Sequence, residues 1–257
     1  MVSRERGSFW KVLGLSYQLA KTNFKVKNEG SYLGIFWYLL EPLFLFLILI
    51  FIRGALRGSG SPEYPIYLLI GLIVFNFFRQ ASVSSANSIN NNANFLKSMK
   101  ISQESLVLSR IFQSVFSHMF EIILLMVFII IFGGSLIGLI FYPLVFFFLF
   151  LFALGVGFIL AIVGTYVNDL VNVWSVLMRM VWFATPIFYI VEKGSLIYNV
   201  NMFNPMFYFI TITRDFVVYL RVPELWMVFT ICCFSVFVFV LGLFVFERFK
   251  DKLAEHV

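Results

Sequence analysis

The stretch LIFYPLVFFFLFLFALGVGFILAIV, residues 139–163, contains no charged side chain and no polar group beyond the Tyr142 hydroxyl. As a helix it is about 37 Å long, more than the roughly 30 Å of hydrocarbon in a bilayer. Runs of the same kind recur on both sides of it, at 34–53, 64–84, 109–132, 173–190 and 226–246. The composition agrees: 61% of the 257 residues are hydrophobic, 12% are charged, and the mean hydropathy is +0.95. A soluble domain carries about twice that charge. The sequence therefore predicts an all-α integral membrane protein with six transmembrane helices in one transmembrane domain, residues 1–257.

Between the runs the chain is organised by charge. Residues 8–28 are too mixed to span, but Trp10, Leu13, Tyr17, Ala20 and Phe24 share one helical face while Lys11, Gln18 and Lys25 share another. That pattern predicts an amphipathic helix lying in the cytoplasmic interface and touching membrane lipids. In the second run, Asn76, Gln80, Ser84, Asn87 and Asn91 form a polar stripe, which predicts that its helix continues into water. The stretch 88–105 is the largest polar insertion. Six lysines and arginines lie in the N-terminal segment, four in 79–110, three in the C-terminal tail and one at Arg179; five lie on the other side. The positive-inside rule then places both termini in the cytoplasm. The external segment 191–224 contains Asn204-Pro205, a helix-start pair in which asparagine caps free amides and proline loses nothing at the first position. The following helix is too short to cross, so a re-entrant segment is expected.

Several chemistries find no support. There is no GxxxxGK[ST] loop, and Gly155-Val156-Gly157 is followed by Leu160 where a dinucleotide fingerprint needs glycine. Ala153, Gly157, Ala161 and Gly164 fit close helix packing instead. His118 and Glu121, without further partners, predict no metal site, and no cofactor or catalytic group is expected. The net charge of +6 reads as cytoplasmic loops, not as nucleic-acid binding. Cys232 and Cys233 are neighbours that cannot bond to each other and read as small apolar core residues. No cleavable leader is evident, so the first apolar run is expected to remain as an anchor. Ser114, Ser117, His118 and Glu121 on span three, with Glu41 and Arg179 on spans one and five, must face protein or water, because charge at bilayer centre costs about 2.5–3.5 kcal/mol. Two readings stay open for them: a polar pathway, or pairing between helices such as Glu121 with Arg179. Aromatic residues, 20% of the chain, can anchor at interfaces or stack on sugar C–H faces.

Taken in order, local patterns resemble type-2 ABC export permeases, particularly polysaccharide exporters. They are Ser31-Tyr32-Leu33-Gly34 with Trp37 and Pro42, Tyr64-Pro65 to Gly71 and Phe77-Phe78, Asn94-Phe95-Leu96-Lys97, Asp169, Thr185-Pro186-Ile187-Phe188-Tyr189, Asn204-Pro205, and Arg214-Asp215. The chain departs from that pattern at Ser102 and Val107, where prolines are common, at Asn168, commonly arginine, and at Glu41, commonly glutamine. The resemblance implies a homodimer carrying two ATP-binding cassette subunits, a channel at the dimer interface, and spans one and five beside a lateral gate. It implies short re-entrant helices before the last span and a lipid-linked glycan, such as an O-antigen, as substrate.

On this reading the channel or gate candidates are Trp37, Tyr38, Glu41, Trp174, Arg179, Trp182 and Tyr189. Asn94, Phe95, Lys97, Met99 and Lys100 are the candidates for coupling to the ATPase, and Asn204, Pro205, Arg214 and Asp215 for an external gate. The expected function is the permease of an ATP-driven exporter in the inner (plasma) membrane, hydrolysis being left to the partner subunits. A drug or small-lipid exporter and a glycolipid-modifying membrane enzyme are the alternatives.

Overall fold

The computed structural model describes residues 9–29, 32–57, 62–92 and 101–256. The order is α1 (Phe9–Glu29), α2 (Trp37–Arg57), α3 (Tyr64–Ala86), α4 (Gln103–Ile131), a 3-10 segment (Leu136–Phe141) leading into α5 (Tyr142–Tyr166), α6 (Leu170–Ala184), α7 (Leu196–Asn201), α8 (Pro205–Val217) and α9 (Leu225–His256). Among the described residues all regular structure is helical. Among the described residues, five helices are long and apolar enough to cross a membrane: Gly34–Ala55, Tyr64–Ala86, Gln103–Ile131, Leu136–Tyr166 and Leu225–Lys250. Each coincides with a predicted run.

The fifth predicted run, 173–190, behaves differently. Its helix, α6, has 15 residues and stops at Thr185, which is extended (φ −78°, ψ 136°) ahead of Pro186. A residue before proline is pushed out of the helical region, because the pyrrolidine ring crowds its backbone. The six predicted crossings are therefore five long helices and one short helix prolonged by non-helical chain.

The centre of the bundle is α3, which touches α2, α4, α5, α6 and α8. Leu68, Leu69, Ile70, Ile73 and Phe77 are buried on it, and so are Ala81, Ser82, Ser85 and Ala86 near its end. Of the predicted polar stripe, Asn76 is buried, Gln80, Ser84 and Asn87 are partly buried and Asn91 is exposed, so the stripe runs from the core to the surface. Ser85 hydrogen-bonds back to Ala81 O at 2.7 Å, and Asn90, in the turn that follows, donates to Gly164 O at 2.8 Å. Helices α5 and α9 pack along each other, and glycines permit it. A Cβ on Gly155 would lie 2.4 Å from Val238 O, and one on Gly242 would lie 2.3 Å from Gly155 O. Real Cβ atoms do not approach backbone that closely, so the contact requires bare backbone from both helices.

The amphipathic helix α1 packs on α4. From its predicted apolar face Ala20 is buried, while Phe24 stacks on Tyr38 and Phe120 and Tyr17 meets Phe116 edge-on. Trp10, at the start of that face, is largely exposed. Outward surfaces of the bundle are apolar, with Phe44, Ile48 and Phe51 on α2, Phe147 on α5 and Phe229, Phe237 and Phe244 on α9 all exposed. Lipid is the solvent that tolerates such a surface. Cys232 and Cys233 are free, and Cys233 is exposed rather than in the core.

Candidate functional site

The break after α6 leaves four consecutive carbonyls without helical donors, and side chains from elsewhere meet each of them. Arg214 on α8 donates from Nη1 to Pro186 O (2.7 Å) and from Nη2 to Ile187 O (2.8 Å). Tyr64 and Tyr67, one turn apart on α3, donate their hydroxyls to Phe188 O (2.8 Å) and Tyr189 O (3.0 Å). Such backbone survives at membrane depth only when its polar groups are paired. The Arg214 guanidinium also donates from Nε to Tyr67 O at 3.1 Å and lies 3.3 Å from the centroid of the Tyr67 ring. Its burial is thus compensated by carbonyl dipoles and an aromatic face. Gly71, one turn beyond Tyr67, makes room: a Cβ there would sit 2.7 Å from Arg214 Nη2.

The start of α8 follows the predicted capping chemistry. Asn204 Oδ1 accepts from Met206 N at 3.0 Å, and Pro205 occupies the first turn. The Asn204 amide also donates to Thr185 Oγ1 at 2.7 Å, tying α8 to the end of α6. Asp215 accepts from Arg221 Nε at 2.8 Å and steadies the turn that leads to α9. Outside the helices, Lys193 forms an exposed ion pair with Glu224, which keeps the Glu224 carboxyl below its ordinary pKa and raises that of the lysine.

A cleft of about 250 Å³ lies between α2, α3 and α6. Its polar groups are Glu41, Asn76, Arg79 and Arg179, set among Pro42, Leu45, Leu72, Phe75, Met178 and Trp182. From it a chain of hydrogen bonds enters the core. Arg79 Nη2 donates to Glu41 Oε1 and to Asn76 Oδ1, both at 2.6 Å. Asn76 Nδ2 donates to Glu121 Oε1 at 2.5 Å. Glu121 Oε2 is 3.0 Å from His118 Nδ1, and His118 Nε2 is 2.6 Å from the Tyr142 hydroxyl. Glu121 therefore pairs with Asn76 and His118, not with Arg179, because α3 and not α6 lies against that face of α4. Every member of the buried part has a partner, the condition under which such groups are tolerated in a low dielectric.

The structure brings Glu41, Arg179 and Trp182 together in this cleft. It holds the other candidates elsewhere. Trp37 is half-exposed at the start of α2, and Tyr38 is buried under Phe24 with Lys27 5.2 Å from its ring centroid. Trp174 donates its indole N–H to Ser82 Oγ at 3.0 Å, fastening α6 to α3. The Tyr189 hydroxyl donates to Ala184 O at 2.6 Å, across the break. The coupling candidates Asn94, Phe95, Lys97, Met99 and Lys100 lie outside the described residues. Sequence reasoning missed Arg79, which it counted among loop charges, and the roles of Tyr64, Tyr67, Gly71 and Tyr142. The available signal was the placement of Tyr64, Tyr67 and Gly71 on one helical face, two hydroxyls and a gap in register.

The ABC-2 type transporter family profile matches residues 15–218. The chain belongs to the ABC-2 type transporter family. Among relatives of this ABC-2 protein, the O-antigen export system permease protein RfbA of Myxococcus xanthus is 22% identical over 95% of both chains. A protein of the same name from Klebsiella pneumoniae is 25% identical over 92% of both. The polysialic acid transport protein KpsM of Escherichia coli is 24% identical over 71% of this chain and 73% of its own. The break after α6 and the cleft beside α2 are thus features of an ABC-2 transporter membrane protein.

Proposed function

We propose that this chain is the permease subunit of an ATP-driven exporter of a lipid-linked polysaccharide such as O-antigen. It works as a homodimer with two ATP-binding cassette subunits on the cytoplasmic face of the inner (plasma) membrane. The observation that carries this reading is the likeness, over nearly the whole length of both chains, to permeases named for O-antigen export. In this scheme α6 with residues 185–190 makes the sixth crossing, and α7 and α8 enter the membrane from outside without traversing it. The cleft between α2 and α6 is the lateral gate, and the half-exposed Trp37 and the cleft-lining Trp182 offer weak, sliding contacts to sugar faces. Asn94, Phe95, Lys97, Met99 and Lys100, with α1, form the surface that meets the ATPase.

Deleting the gene in its own host and following the cell-surface glycan tests the reading. Glycan should vanish from the surface while its lipid-linked form accumulates inside, and the purified complex should contain an ATPase subunit. A deletion strain with normal surface glycan and no intracellular glycolipid refutes polysaccharide export.

A further inference from the structure

We infer that Lys250, near the end of α9, is a positioning residue for energy coupling: through Glu104 it fastens the far end of the segment between α3 and α4 to the paired helices α5 and α9. Movement imposed on that segment is thereby delivered to the α5–α9 pair. The inference rests on the proposed function in one respect, that an ATPase subunit bears on this segment.

The segment is tied at both ends, and both ties lead to the same two helices. At its start, Asn90 Nδ2 donates to Gly164 O at 2.8 Å, near the end of α5. Gly164 lies so close to the end of α3 that a Cβ on it would sit 1.9 Å from Ala86 O. At the far end, only Ile101 and Ser102 separate Lys100 from α4. Glu104, in the first turn of α4, accepts from Lys250 Nζ at 2.7 Å. A carboxylate is favoured there by the free amides that open a helix. Helices α5 and α9 in turn form one unit. Their backbones meet at Gly155 and Gly242, and one turn before Lys250 the buried Phe246 ring lies 4.9 Å from that of Phe158.

The pair also differs from the surface ion pairs of this chain. The Lys250 and Glu104 side chains are 25% and 23% accessible, against 69% and 39% for Lys193 and Glu224. Partial burial reduces screening by salt, so the link is firmer than one in open water. Glu247 Oε2, one turn earlier on α9, lies 2.6 Å from Lys250 Nζ and steadies the ammonium. The next residue after Glu104 brings in α1, since Ser105 Oγ donates to Val12 O at 3.3 Å. A pair that only stabilised the fold would raise the thermal midpoint and leave the path of a nucleotide response unchanged. A coupling link alters that path.

The test is hydrogen–deuterium exchange on the purified complex of this chain with its ATPase subunit, free of nucleotide and trapped with ATP and vanadate. In the parent, trapping should change exchange by about threefold in peptides from the start of α4 and from the ends of α5 and α9. In Lys250→Met the change should persist at the start of α4 and be lost at the end of α9. Glu104→Gln should behave in the same way, because the two residues form one link, and it decides the matter where Lys250→Met does not assemble with the ATPase. Lys250→Arg and Glu247→Gln both keep an ion pair with Glu104 and should respond like the parent. Thermal midpoints near the parent's, as expected for a partly exposed pair, exclude unfolding as the cause. A response at the end of α9 that survives both Lys250→Met and Glu104→Gln overturns the inference, and so does a parent whose response never leaves α4. Purification without any ATPase subunit overturns it together with the export reading. A deletion strain with normal surface glycan sinks polysaccharide export alone, since the exchange test needs no cargo.

Discussion

Arg214 holds the non-helical chain after α6 in place, and replacing it separates charge from geometry. Arg214→Gln removes the donors to Pro186 O and Ile187 O and leaves both carbonyls buried and unpaired. Each such loss costs about 1–3 kcal/mol, so the variant should lose about 3 kcal/mol or more. Arg214→Lys keeps the charge but lacks the fork that reaches two adjacent carbonyls and Tyr67 O together, so it should recover only part. The check is the thermal midpoint of the detergent-purified protein, measured beside Arg221→Gln. That residue sits on the more exposed Asp215 pair, with its own side chain 62% accessible, and its loss should cost less. A midpoint for Arg214→Gln equal to the parent's would show that the Pro186 and Ile187 carbonyls do not depend on it. At this scale the sequence was legible where rules are local. Asn204 as a cap follows from its being next to Pro205. The Arg214 clamp could not be read, because its acceptors lie 27, 28 and 147 residues away.

Elements were more legible than contacts, because an uninterrupted apolar run is a property of one segment. Five long helices appear where such runs were found, and the small-residue pattern of α5 does mark close packing. The run at 173–190 misled because hydropathy does not register Thr185-Pro186 as a stop, nor foresee that Tyr64 and Tyr67 supply the donors that make a stop affordable. The stripe from Asn76 to Asn91 does reach the surface at Asn91, but Asn76 misled, because polarity does not distinguish water from a partner such as Glu121. The α5–α9 seam gives a prediction at this scale. Gly155→Leu pushes a side chain into backbone already 2.4 Å from its Cβ position, forcing the helices apart. Overpacking of this kind costs about 1–3 kcal/mol or more, and should lower the folded yield in membranes and the thermal midpoint. Val156→Leu, next door on a partly buried position, should be much milder. Equal behaviour of the two variants would mean that the helices do not approach as closely as the glycines indicate.

The orientation proposed for the whole bundle rests on charge alone, since fourteen lysines and arginines fall on one predicted side and five on the other. The asymmetry resides mostly in α1, the segment after α3 and the C-terminal tail, regions flanking the spans, where the positive-inside rule applies best. Two exposed lysines can report on it. Lys25 lies on the outer face of α1, and Lys193 lies in the turn between α6 and α7. Each takes part in a surface ion pair, with Glu29 and Glu224 respectively, and such exposed pairs add little to stability. Replacing either lysine by cysteine should therefore leave the fold intact. Cys233 is exposed and Cys232 partly so, so both are first changed to serine. In intact cells a membrane-impermeant maleimide should label the Lys193→Cys protein and spare the Lys25→Cys protein, which should react only after the membrane is opened. The segment after α3 would then lie on the side where an ATPase can reach it. Labelling of Lys25→Cys but not Lys193→Cys in intact cells would invert the molecule, and with it the side from which the cleft is loaded.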